Sequence, residues 1–89
     1  MACIDYHALT QFESEARQGR VEALYNLGLA YSTGQGTSVD YVAAHKWFNL
    51  AATQGHMDAA RLRREIAAEM SSRQIADALR AARDWRTHH

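Results

Sequence analysis

Eighty-nine residues make one domain at most, and a chain that short buries only about 60–65 % of its unfolded surface, which leaves modest stability. Ten basic side chains balance ten acidic ones, which argues against a dedicated nucleic-acid binder. Proline is absent, strand-like alternation is missing and no apolar run nears the about 20 residues of a membrane span, so the class is all-α with no transmembrane segment expected.

In chain order, the first expected element is a helix from about Ile4 to Gln18, with Ala8, Phe12 and Ala16 in step and Gly19 after it. The second helix is expected over Val21 to Thr33. Ala23, Leu27, Ala30 and Tyr31 fall at i, i+4, i+7 and i+8, one face of a 3.6-residue period. Gly28 lies inside this helix, where glycine costs about 1 kcal/mol against alanine; beside an apolar face it marks the close approach of another backbone. Gly34 suits a left-handed residue after the last turn.

A third helix is expected from Asp40 to Thr53, with Asp40 as its cap. Its apolar face is Tyr41, Ala44, Trp47, Phe48, Ala51 and Ala52, and Gly55 closes it. The second and third helices thus form an antiparallel helical hairpin. The fourth, Met57 to Met70, carries a stripe of Ala59, Leu62, Ile66 and Met70. Ser71 or Ser72 is a suitable N-cap for the last helix, about Arg73 to Arg86. There Ile75, Leu79, Ala82 and Arg86 share one line with Ala78 and Trp85 beside it, while Arg73, Asp77, Arg80, Arg83 and Asp84 supply the polar outer face that a solenoid end needs.

A shift of thirty-six residues exposes an internal repeat: Ala8 with Ala44, Phe12 with Phe48, Ala16 with Ala52, Gly19 with Gly55 and Ala23 with Ala59. The expected organisation is a single helical-repeat domain: a half repeat over residues 4–19, a full repeat over 20–55 and a degenerate capping repeat over 56–87. In the full repeat, A-x-x-x-L-G-x-x-Y is followed by G-x-G, by D-x-x-x-A-x-x-W-F and by A-A-x-x-G-H. This pattern resembles the Sel-one-like repeat, a relative of the tetratricopeptide repeat. Ala23, Leu27, Gly28, Tyr31, Gly34, Gly36, Asp40, Ala44, Trp47, Ala51, Ala52, Gly55 and His56 stand at the matching positions. Thr37 departs from the usual valine, and Val39 is expected to fill the space. The last copy departs further, with Arg63, Arg64 and Ala67 in place of Leu, Gly and Tyr.

The resemblance implies a right-handed α-solenoid of about five antiparallel helices, protein-protein adaptor roles and no enzymatic activity. Laid on the tetratricopeptide fold, it places Glu22, Tyr25, Leu29, Ser32 and Thr33 on the concave side, and the thirty-six-residue shift adds Asp58, Arg61, Glu65, Ala68 and Glu69. Asn26 lies beside them, where the related peptide clamps use asparagine to bond a peptide backbone. Glu22 and Asp58 occupy the basic-clamp positions, so capture of a terminal carboxylate is disfavoured by charge. Tyr25 and Leu29, at i, i+4 off the core stripe, read either as an innocent exposed apolar pair or as the platform of a shallow groove that takes an apolar or basic segment of a protein partner, with Tyr25 as its anchor. The alternative is a structural or self-associating unit, since a first half-repeat without its partner helix leaves Leu9 and Phe12 to be covered by little else and favours weak dimerisation through an end.

The remaining chemistry-bearing residues have plainer readings. Gly34-Gln35-Gly36 lacks the Lys-Ser/Thr and the preceding strand of a phosphate loop and reads as an interhelical turn. Cys3 is the only cysteine, which excludes an intrachain disulfide; with His7 at i+4 it makes one pair where zinc wants about four ligands. His45 reads as exposed and His56 as a turn residue. Arg61, Arg63, Arg64, Arg73, Arg80, Arg83 and Arg86 are interleaved with Asp58, Glu65, Glu69, Asp77 and Asp84, with Glu69–Arg73 and Asp77–Arg80 at pairing distances, and read as a solvated face. Trp47, Phe48 and Tyr31 read as core. No converging acid, base or nucleophile is visible, so no cofactor, metal or nucleic-acid partner is expected. No leader is visible before the first helix, and the expected compartment is the cytoplasm.

Overall fold

In the computed structural model, which describes residues 5–88, five helices carry the fold: α1 (Tyr6–Arg17), α2 (Val21–Thr33), α3 (Tyr41–Thr53), α4 (Met57–Ala67) and α5 (Ser72–His88). No strand occurs among the described residues. The all-α, tetratricopeptide-like solenoid read from the sequence is the observed architecture. Cys3 lies outside the described residues. No helix among them is long and apolar enough to cross a membrane.

Capping chemistry sets the helix ends. Asp5 Oδ1 accepts from the Ala8 amide at 2.8 Å, and Asp40 Oδ1 accepts from the Ala43 amide at 3.1 Å. Each satisfies one of the amides that a helix start leaves without a partner. At the end of α2, Gly34 takes φ 76°, a left-handed conformation that strains any residue with a β-carbon. Its amide donates to Ala30 O at 2.8 Å. Val39 sets one methyl against Gly34 but is 57 % exposed, so it covers the turn from outside and does not fill the loop's interior.

The ends of α1 and α3 repeat one hydrogen-bond pattern thirty-six residues apart. Gly19 and Arg20 donate to Ala16 O and Glu15 O, and Gly55 and His56 donate to Ala52 O and Ala51 O. The last junction differs. Helix α4 stops at Ala67, three residues before the expected Met70, and a tight turn follows with Glu69 bonded to Ile66 O and Met70 to Ala67 O. Ser71 and Gln74 then bond reciprocally: the Gln74 amide donates to Ser71 Oγ at 3.1 Å, and the Ser71 amide donates to Gln74 Oε1 at 2.9 Å. This capping box starts α5. It also leaves Glu69 and Arg73 on opposite sides of the turn, and they form no ion pair, whereas Asp77 and Arg80 meet at 3.1 Å.

Packing is centred on α3. Helices α2, α4 and α5 all lie against it, while α1 lies against α2; α4 and α5 hardly touch each other. Phe48 of α3 is fully enclosed, and its ring lies where a β-carbon on Gly28 would be. The glycine therefore sets the distance between α2 and α3. Trp47 is buried too and meets Trp85 of α5 edge-on at 4.8 Å. Tyr31 is only half-buried; burial first, then the nearby Glu13 and Asp40 carboxylates, push its hydroxyl pKa up.

Two expectations about the ends change. The buried line of α5 is Ala78 and Ala82, with Ile75 and Trp85 half-buried beside it, while Leu79 is 47 % exposed and Arg86 points to solvent. The contact with α3 selects this line, one step round the helix from the one drawn through Leu79. Leu9 is buried and Phe12 packs on the core, because α2 covers the face of α1. Leu9 and Phe12 are therefore not left uncovered as expected.

Candidate partner-binding surface

Most of the residues expected on the concave side lie on α2 and α4, which both pack on α3 and touch each other at few points. Their N-terminal ends are joined through His56. As N-cap of α4, His56 accepts from the Ala59 amide through Nδ1 at 3.1 Å. An amide can only donate, so Nδ1 is unprotonated and the ring carries its proton on Nε2. That nitrogen faces Glu22 Oε1 at 3.0 Å. The ring also stacks on Tyr25, with centroids 4.3 Å apart and planes inclined by 22°. The turn histidine is thus a joint of three contacts, and Glu22 and Tyr25 are its partners on α2.

The other expected residues follow in order down the face. Asn26 and Leu29 are half-buried and Glu22 is exposed. Ser32 and Thr33 turn their hydroxyls back onto Leu29 O at 3.2 and 2.6 Å. On α4, Arg61 lies between two carboxylates, 3.7 Å from Asp58 and 3.5 Å from Glu65; all three side chains are exposed, so these pairs add little stability. Ala68 and Glu69 are exposed in the turn after α4. His56 joins Glu22 and Tyr25 of α2 to the start of α4, where Asp58 and Arg61 pair, and Ser32 and Thr33 lie at the far end of α2.

His45 is the clear correction. Expected on the exposed side of its helix, it is only 4 % exposed, because α3 has α2, α4 and α5 packed against it. Its Nδ1 finds no hydrogen-bond partner among the described residues. Burial first, and then the Arg63 guanidinium, push its pKa below the usual imidazole value. One turn on, buried Asn49 accepts from Arg63 at 2.5 Å. Sequence reasoning missed this polar seam; its only trace is the pair His45 and Asn49 at i, i+4, with Arg63 standing where the repeat pattern has leucine. Lys46, between them on the helix, places Nζ 4.2 Å from the Trp47 ring centroid, a cation–π contact. Burial lowers its pKa, with Glu13 opposing.

Among the described residues no three His, Cys, Asp or Glu side chains converge as metal ligands would. On this face the apolar side chains of Tyr25 and Leu29 pack against the core. Residues 21–56, from the first residue of α2 to the cap of α4, match the family model of the Sel1 repeat, a repeat that in general mediates protein-protein interactions. No curated protein and no solved structure matches the chain.

Proposed function

Starting from a chain with a Sel1 repeat at its centre, we propose that this protein is a non-enzymatic interaction module whose α2–α4 face takes an extended segment of a protein partner. The observation that carries this reading is Asn26. It is half-buried between Tyr25 and Leu29, and its carboxamide has no hydrogen-bond partner among the described residues. A carboxamide both donates and accepts, which suits the alternating donors and acceptors of a peptide backbone. Tyr25 and Leu29 pack on the core, so they present a fixed apolar ledge that needs little ordering on binding.

Charge supports the choice of segment. Glu22, Asp58 and Glu65 set three carboxylates against the single guanidinium of Arg61, which favours an apolar or basic segment and disfavours a terminal carboxylate. The test is capture of a partner from the source cell, followed by titration of that partner with Asn26→Ala combined with Leu29→Ala. Tyr25 is left in place because its stack on His56 joins α2 to α4. A loss of affinity of about tenfold or more, near 1.4 kcal/mol, is the expected result. Unchanged affinity of the folded double variant refutes the α2–α4 assignment. Recovery of only the chain itself replaces it with self-association.

A further inference from the structure

On the opposite flank from the α2–α4 face, the C-terminal ends of α1, α3 and α5 leave a cleft of about 210 Å³. It exists because α1 packs on α2 and α5 packs on α3, so neither closes over the end of α3. Its floor is Ala16, Leu24 and Leu50, all buried, and the half-buried Trp85 forms a wall. Arg17 and Arg86 stand at the rim, both exposed, and neither guanidinium has an ion pair or hydrogen bond among the described residues. Basic residues often sit at helix ends to meet the last carbonyls. Here the carbonyls that close α1 are already bonded, by the amides of Gly19 and Arg20, and near Arg86 the carbonyls of Arg83 and Asp84 are met by Thr87 Oγ1. The two cations are therefore available to a ligand.

Size and charge together select the occupant. An apolar cavity of about 150 Å³ holds a benzene-sized group, and dedicated small-molecule sites begin near 300 Å³. The cleft thus has room for one side chain between leucine and phenylalanine in size and is too small for a cofactor. Two guanidiniums beside it, without a partner among the described residues, call for carboxylates next to that side chain. We infer that this cleft is a second binding site, which takes one leucine-sized side chain from an acidic segment of a protein partner, with flanking carboxylates paired to Arg17 and Arg86. An apolar floor is the wrong surface for a phosphodiester backbone, so nucleic acid is not the ligand. The inference is independent of the α2–α4 reading, whose face is acidic and whose segment is basic or apolar.

The probe is the peptide acetyl-Asp-Glu-Leu-Asp-Glu-amide, titrated into the ¹⁵N-labelled full chain and followed by amide and indole shifts. The expected result is saturable shifts at Gly19, Leu24, Thr53 and the Trp85 indole. Replacing the peptide's leucine by alanine should weaken binding about tenfold, the cost of emptying an apolar pocket. Arg17→Glu with Arg86→Glu should abolish it; both residues are exposed, and far-ultraviolet circular dichroism checks that the fold is kept. Arg17→Lys with Arg86→Lys should retain part of the affinity, since lysine keeps the charge and loses the bidentate fork. The inference is overturned by an absence of shifts at millimolar peptide or by equal binding of the alanine peptide. Shifts centred on Tyr25 and Leu29, or stronger shifts at the cleft from a single-stranded oligonucleotide, overturn it as well.

Discussion

Gly28→Ala pits two known effects against each other, and the structure decides the sign. In a helix interior, alanine is favoured over glycine by about 1 kcal/mol. The α2 backbone at Gly28 is ordinary helix with no positive φ, so that gain is fully available. Against it stands Phe48. A β-carbon at position 28 overlaps the ring edge and comes within 2.9 Å of Cγ, the atom that attaches the ring. The near end of the side chain is involved, so a rotation about the ring axis gives no relief, and Phe48 is wholly enclosed. Overpacking of this kind costs about 1–3 kcal/mol, and contact at the attachment atom puts it at the upper end. The net effect is a loss of about 1–2 kcal/mol. For a domain of this size that lowers the melting temperature by about 5–15 °C, read by circular dichroism. Gly28→Leu should be worse. Combining Gly28→Ala with Phe48→Leu should show a favourable coupling, because the smaller side chain removes the overlap. A Gly28→Ala protein that melts at or above the parent temperature refutes the close-approach argument, since helix propensity alone predicts a rise.

Three further outcomes follow from other contacts. His45 is buried with its pKa lowered, so the unfolded chain takes up a proton first: stability is full above the ordinary imidazole pKa of about 6.5 and falls as pH drops from there through the lowered folded value. Urea midpoints at about pH 7.5 and about pH 5.5 should differ more for the parent than for His45→Leu, and equal differences refute the role. His56→Ala removes the α4 cap and should cost about 1 kcal/mol, whereas His56→Asn keeps a capping oxygen and should lose less; equal losses on thermal melting would show that the cap is not what matters there. In Trp85→Phe the remaining Trp47, 6 % exposed, should emit at shorter wavelength than free tryptophan, and emission at the free value contradicts its burial.

Much of the fold is local chemistry and was legible as such. Asp40, Gly34 and Ser71 mark helix ends because each supplies a cap or a left-handed turn from its own side chain or backbone, and the limits of α2 and α3 follow from them. Gly28 announced a close approach, since a mid-helix glycine on an apolar face has little other use. The thirty-six-residue recurrence made α1 a relative of α3 without any contact being known. What only the tertiary structure decided was exposure. His45 and Asn49 look like a polar face on a helical wheel, yet α3 is covered by α2, α4 and α5 and has almost no solvent side left. Leu79 looks like core and lies outside, because α5 meets α3 along Ala78 and Ala82. Periodicity reports which residues share a face, a property of one helix. How many faces are covered depends on neighbours distant in sequence, and so did the joint at His56, the seam at Arg63 and the cleft between α1 and α5.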